Sequence, residues 1–152
     1  MYKKILAPVD GSELSECSLA HVKAITSGCK VPQVVLLRVI EPLEHSGMID
    51  SNINKMYVKM LKEVEVKIED DLAKLADSLN SEGIATQTAI ARGVAANEIL
   101  DYASKNNVDL IIMSTHGRSG IVRWALGSVA DKVLQYSQVP VLIAAPKSCR
   151  ID

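Results

Sequence analysis

Four short stretches of this chain, residues 5–9, 34–40, 108–113 and 140–144, are apolar almost without interruption. A fifth, residues 85–91, alternates through Thr86, Thr88 and Ile90. Strands built from continuous Val, Ile and Leu are buried on both faces, and that happens in parallel sheets covered by helices above and below. This one feature restricts the chain more than any other. The segments between the strands carry helical spacing, as such a fold requires.

The first of these segments follows Asp10-Gly11-Ser12. Ser12 or Ser15 suits a helix N-cap, and Glu13 and Glu16 suit the first turn. Leu14, Cys17, Ala20 (or His21), Ala24 and Ile25 then fall on one face, and Gly28 is expected to end the helix. Residues 41–54, with Pro42 and Gly47, form the longest irregular segment. It is a candidate lid or partner surface. A long amphipathic helix is expected over 54–82. Its stripe of Met56, Met60, Val64, Ile68, Leu72, Leu75 and Leu79 is expected to be core, and Gly83 stops it. Shorter helices are expected over 95–104, with Ile99 and Leu100 inward, and over 128–136, with Val129, Val133 and Leu134 grouped. Pro8, lacking an N–H, should lie at the end of its strand.

The expected fold is therefore α/β: an open, doubly wound, parallel five-stranded sheet with helices on both faces. A length of 152 residues fits one domain over 1–152 with a full core. There is no Phe, so that core must be assembled from Val, Ile, Leu and Ala. Ligands of such sheets bind beyond the carboxyl ends of the strands, where the strand order reverses. Two loops carry the residues for this, 10–12 after the first strand and 114–117 after the fourth. For both to meet one ligand, strands one and four must be neighbours, which gives the order 3-2-1-4-5.

The chemistry is densest in residues 108–129. A strand runs into Ser114-Thr115-His116-Gly117, and nine residues later Gly127-Ser128-Val129 opens a helix. A glycine-punctuated loop leading to a helix N-terminus holds anions, because small residues admit a close approach and the first amides point outward unpaired. Ser128 is expected as N-cap, with Asp131 completing a variant capping box. The amides of Gly127, Ser128 and Val129, assisted by the Ser114 and Ser128 hydroxyls, would hold a phosphate. Spacing alone leaves a second reading open, a tight connection with an ordinary cap.

Asp10 faces the same crevice. Its carboxylate suits ribose hydroxyls, or Mg²⁺ or Mn²⁺, or simply an Asx-turn. His116 could donate to phosphate or pack on ribose, and Arg118 and Arg123 could complement phosphate charge. His21 and His45 have no partner pattern and are expected to face solvent. The formal net charge of −1 argues against a nucleic-acid partner bound through a broad basic face. No apolar run approaches the ~18 residues that span a membrane. Asp10 breaks the N-terminal apolar run before a signal core forms. Cys17, Cys29 and Cys149 form no CxxC or Cys/His cluster, so free thiols and a cytoplasmic location are expected.

Three separated motifs, APVDGS at 7–12, STHGRSG…LGSVADKVL between 114 and 134, and VPVLIA at 139–144, together resemble the universal stress protein family over essentially the whole chain. The resemblance implies a Rossmann-like, adenine nucleotide alpha hydrolase-like fold and a regulatory protein of the stress response that binds ATP or AMP. The nucleotide-binding branch carries Gly-x-x-Gly, nine residues, then Gly-Ser/Thr. Gly117, Gly127 and Ser128 match, whereas Ser114 stands in place of the first glycine. By the same resemblance Pro8, Asp10 and Val39 correspond to the adenosine pocket. Met113, Ser114, His116, Gly117, Arg118, Gly127, Ser128 and Val129 would surround ribose and phosphates. The resemblance also implies a homodimer through the last strand, between Val139 and Ala144. Pairing there would cover an edge that is otherwise an aggregation liability. The departure at Ser114 favours an alternative, a dimeric interaction scaffold without nucleotide. A slow ATPase is a third reading. No base or nucleophile stands out for it, and the P-loop signature with its phosphate-binding lysine is absent.

Overall fold

The computed structural model describes residues 2–42, 51–115 and 126–145. Strands and helices alternate along it: β1 (Lys4–Pro8), α1 (Glu13–Glu16), α2 (Ser18–Cys29), β2 (Gln33–Ile40), α3 (Ser51–Ser81), β3 (Thr86–Arg92), α4 (Ala95–Lys105), β4 (Leu110–Ser114), α5 (Ser128–Tyr136) and β5 (Val141–Ala144). All four pairings are parallel, and the order is β3-β2-β1-β4-β5. This is the doubly wound arrangement expected from the two loops. The strand order reverses between β1 and β4, where Ile5 pairs with Leu110 and Leu6 with Ile111. Pro8 is the last residue of β1, and the ladder continues past it through Val9 N–H to Leu37 C=O at 2.9 Å.

The two-residue period of the strands divides the core into two layers. Ile5, Ala7, Val34, Leu36, Leu110 and Ile112 pack with Leu19 and Val22 of α2 and with Leu72, Ala76 and Leu79 of α3. Leu6, Val35, Leu37, Ile111 and Met113 pack with Ala96, Ile99 and Ala103 of α4 and with Ala130 and Val133 of α5. The sheet is thus covered on both faces, as its apolar strands demand.

Several local expectations are corrected. The inward face of α1 and α2 is Ser15, Ser18, Leu19, Val22 and Thr26, rather than the set headed by Leu14 and Cys17. Serines are admitted because they bond locally: Ser18 Oγ donates to the Ser15 carbonyl at 2.8 Å. Gly28 stays within α2, and the helix ends at Lys30, which takes the left-handed conformation at φ 52°. Burial of Val31, whose N–H returns to the Thr26 carbonyl, anchors that ending and overrides the glycine signal. Gly83 does end α3, at φ +82°, with Gly83 N–H to Asn80 C=O and Ile84 N–H to Leu79 C=O. In α5, Ala130 and Val133 are buried whereas Leu134 is exposed. His21 is half-buried rather than fully solvent-facing: its Nε2 is shielded and has no hydrogen-bond partner among the described residues. Cys17 is disulfide-bonded, so the expectation of a free thiol fails there, while Cys29 is free and exposed. The loop expected over 41–54 gives way to α3 from Ser51, and its residues 43–50, His45 included, lie outside the described part.

The largest correction concerns the methionine stripe. Met56 is 76% exposed and Met60 48% exposed, and Val64 is exposed as well. Among the described residues, the part of α3 that packs into the apolar core is its second half, from Ile68 through Leu79. The apolar stripe continues past the end of the surface that it could bury itself against.

At the amino end of the sheet, Asp109 Oδ2 accepts from the backbone N–H groups of Lys3 at 2.8 Å and Lys4 at 2.9 Å. These bonds hold its carboxyl below its ordinary value. A depressed folded-state pKa contributes stability above the unfolded value, near ~4, and loses it as pH falls through the folded value. Asp109→Asn is therefore expected to melt below wild type at neutral pH. The gap should close as the pH is lowered past 4 towards 2. Thermal melts over that range test this, and a gap independent of pH would contradict it.

Candidate functional site

A cavity of about 270 Å³ opens beyond the carboxyl ends of β1 and β4, at the point where the strand order reverses. Pro8 and Asp10 line it from β1, Val39 from β2, Met113 and Ser114 from β4, and Gly127, Ser128 and Val129 from the start of α5. Eight of the eleven residues singled out in the sequence therefore meet around one space. The other three, His116, Gly117 and Arg118, lie outside the described residues, as does Arg123.

Asp10 is fixed by the turn that follows it. Its Oδ1 accepts from Ser12 N–H at 2.9 Å and Ser12 Oγ–H at 2.6 Å, an Asx-turn. Ser12 Oγ in turn accepts from Ser15 N–H at 3.1 Å and caps α1. The Asx-turn reading of Asp10 is thus realised, and the residue also borders the cavity.

The α5 terminus differs from expectation in a consequential way. Its N-cap is Gly127, at φ −57° and ψ 150°, and among the described residues no side chain caps it. Ser128 is the first helical residue. Asp131 makes no capping box: its N–H reaches the Gly127 carbonyl at 2.9 Å and its carboxylate accepts from Gln135. The Gly127 amide, expected to face an anion, instead donates to the Thr115 carbonyl at 2.8 Å, and Thr115 N–H donates to Ala144 C=O at 3.1 Å. Thr115 thereby ties the helix start to the ends of β4 and β5. What remains at the terminus is a first turn of amides with no side-chain cap among the described residues, next to a glycine.

The far wall is apolar. Leu37, Val39, Ala95, Ile99 and Met113 line it, so one end of the space suits a flat, weakly polar group and the other an anion. Ala95 and Ile99 escape a sequence reading as crevice residues, because only the packed position of α4 brings its first turn to this end of the sheet. Ser15 had a signal in its three-residue spacing from Ser12, but it was read as a cap alone. The Ala95 N–H is capped from outside α4, by Glu41 Oε1 at 3.0 Å.

A larger hollow of about 790 Å³ lies at the amino end of the sheet, and several of the polar groups around it are already engaged. Asp109 holds the Lys3 and Lys4 amides there, and Lys4 Nζ donates to the Asn106 carbonyl at 2.9 Å. Among the described residues no three His, Cys, Asp or Glu side chains converge as metal ligands would, and no helix is long and apolar enough to cross a membrane.

Comparison with known proteins agrees with this geometry. Residues 1–145 match the universal stress protein family. Universal stress protein MJ0577 of Methanocaldococcus jannaschii is 33% identical, with 97% of this chain and 98% of that protein covered. The solved structure of MJ0577 superposes with a TM-score of 0.82 over 95% of this chain and 96% of that one, at 32% identity. Two more distant structures share the fold. One is a universal stress protein in complex with cAMP, with TM-score 0.68 and 19% identity over 95% and 97% of the two chains. The other is an Arabidopsis thaliana family protein with AMP bound, with TM-score 0.66 and 15% identity over 94% and 91%. With its sequence matched over residues 1–145 and its fold shared with a relative one-third identical, this chain belongs to the universal stress protein family.

Proposed function

We propose that the chain is an adenine-nucleotide-binding regulatory protein, taking ATP or AMP in the crevice between β1 and β4. The observation that carries this reading is the meeting of two turns on one cavity: the acidic turn at Asp10 and the helix start at Gly127. The base would lie against Val39, Ile99 and Met113, with the Val39 backbone at its edge. Asp10 would accept from ribose hydroxyls. The phosphates would meet the Ser128 and Val129 amides, with Ser114 and Ser128 assisting and His116, Gly117 and Arg118 completing the site. Family proteins with AMP and cAMP bound support the ligand class. A Mg²⁺ or Mn²⁺ ion would come with the phosphates, since Asp10 is the carboxylate at hand and Mg²⁺ keeps much of its water shell.

The dimer belongs to the same proposal. Among the described residues β5 pairs only with β4 and forms an edge of the sheet. A second copy pairing along Val141–Ala144 would cover it, and nucleotide occupancy would bias that assembly. Ser114, in place of a glycine, is the observation that favours a second reading, a dimeric scaffold without nucleotide.

The deciding experiment is mass spectrometry of the small molecule carried by the purified protein, followed by calorimetric titration with AMP and ATP. Recovered adenine nucleotide, or heat that saturates at one site per chain, is the expected result. No bound nucleotide, no heat and no thermal shift would leave the scaffold reading.

A further inference from the structure

The turn at residues 9–12 is a partition between two hollows. The crevice lies on one side. On the other, beneath α3, lies a groove of about 590 Å³ whose walls include Val9, Gly11, Arg38 and Leu72. Val9, only 4% exposed, seats the start of the turn in the core, and the Asp10–Ser12 bonds close the turn on itself. Beyond Val9 the turn faces a hollow on either side, and two further side chains hold it from outside. Ser15 is only 4% exposed. Its Oγ accepts from the Asp10 N–H at 3.1 Å and donates to the Ser12 carbonyl at 2.9 Å. Arg38 approaches from the other side. Alternation along β2 sends Val39 to the crevice and Arg38 to the back of the turn, where Nη1 donates a long 3.4 Å bond to the Val9 carbonyl.

Gly11 records how close that approach is. Its φ is +77°, and a β-carbon built there would lie 2.7 Å from Arg38 Nη1. The guanidinium thus fills the space that a side chain at position 11 would take.

We propose that Ser15 and Arg38 clamp the 9–12 turn from its two sides and act as positioning residues for the Asp10 carboxylate. This rests on the nucleotide reading above, and it separates two functions within the site. The apolar wall holds the base whether or not the turn is ordered. The sugar is held only when the turn is preorganised, because otherwise binding must supply the ordering entropy.

The test compares wild type with Arg38→Met, which keeps most of the apolar stem, and with Ser15→Ala. Amide hydrogen exchange at Ser12 and Ser15 is measured without ligand, and calorimetry measures affinity for AMP and for adenine alone. Arg38→Met should speed exchange at both amides by about tenfold, a local opening that leaves the melting temperature nearly unchanged. It should weaken AMP by about tenfold and leave adenine as in wild type. Ser15→Ala should show the same split. Unchanged exchange in Arg38→Met, or equal losses for AMP and adenine, would overturn the clamp. If wild type binds neither ligand, the nucleotide reading fails, and the exchange rates still judge the clamp.

Discussion

Gly127→Val should reduce affinity for AMP and ATP by about a hundredfold or more while the protein still folds. The backbone at Gly127, φ −57° and ψ 150°, is open to any residue, so the substitution need not strain the chain. A valine is a poor N-cap and costs about 1 kcal/mol of helix stability. That corresponds to a few degrees of melting temperature in a domain of this size. Binding should suffer more. The isopropyl group would stand beside the first-turn amides, where a phosphate oxygen must approach. Losing one or two charge-assisted bonds of about 1.5–3 kcal/mol each accounts for the hundredfold. Titration calorimetry beside thermal melts separates the two effects. Wild-type affinity in the variant would remove the helix start from the site.

The second large effect concerns stability, and it tests the most surprising part of the fold. Leu79→Ala should cost about 2–5 kcal/mol, whereas Met56→Ala should stay within about 0.5 kcal/mol. Both residues belong to one apolar stripe on one helix. Leu79 is 1% exposed and packs with Val34 and Ile84 in the layer beneath the sheet. Truncating it leaves a cavity in close-packed surroundings. Met56 has little to lose. Chemical denaturation of the two variants decides it, and equal losses would mean that the first half of α3 is buried in solution.

That contrast also shows where a sequence stops being informative. Helical spacing reports which residues share a face, and it is uniform from Met56 to Leu79. It does not report how far the opposing sheet extends. The same limit explains α2: Gly28 is a fair stop signal, but the anchored Val31 moves the ending to Lys30. By contrast, the strand order was legible from one argument, that the loops at Asp10 and Ser114 serve one ligand. Burial of the strands was legible too, because no local preference competes with a run such as 34–40. At the crevice, residue types were legible and roles less so. Ser128 and Gly127 exchange their expected parts, because the Gly127 amide is taken by Thr115, a contact that spacing cannot reveal. Ile99 was legible as an inward residue but, like Ala95, not as part of the crevice: nothing local marks a small or branched residue whose importance comes from the position of its whole helix.

Parallel pairing throughout the sheet has one more consequence. No neighbouring strands are joined by a hairpin, and β1 meets β4 only after more than a hundred intervening residues have been made. Closing so long a loop is entropically unfavourable and slow. A growing polypeptide on the ribosome therefore has no crevice at all until its final third emerges, and the ligand cannot serve as a template for the early steps. The first chain-length at which nucleotide protects the nascent protein from proteolysis should fall beyond Tyr136, the last residue of α5.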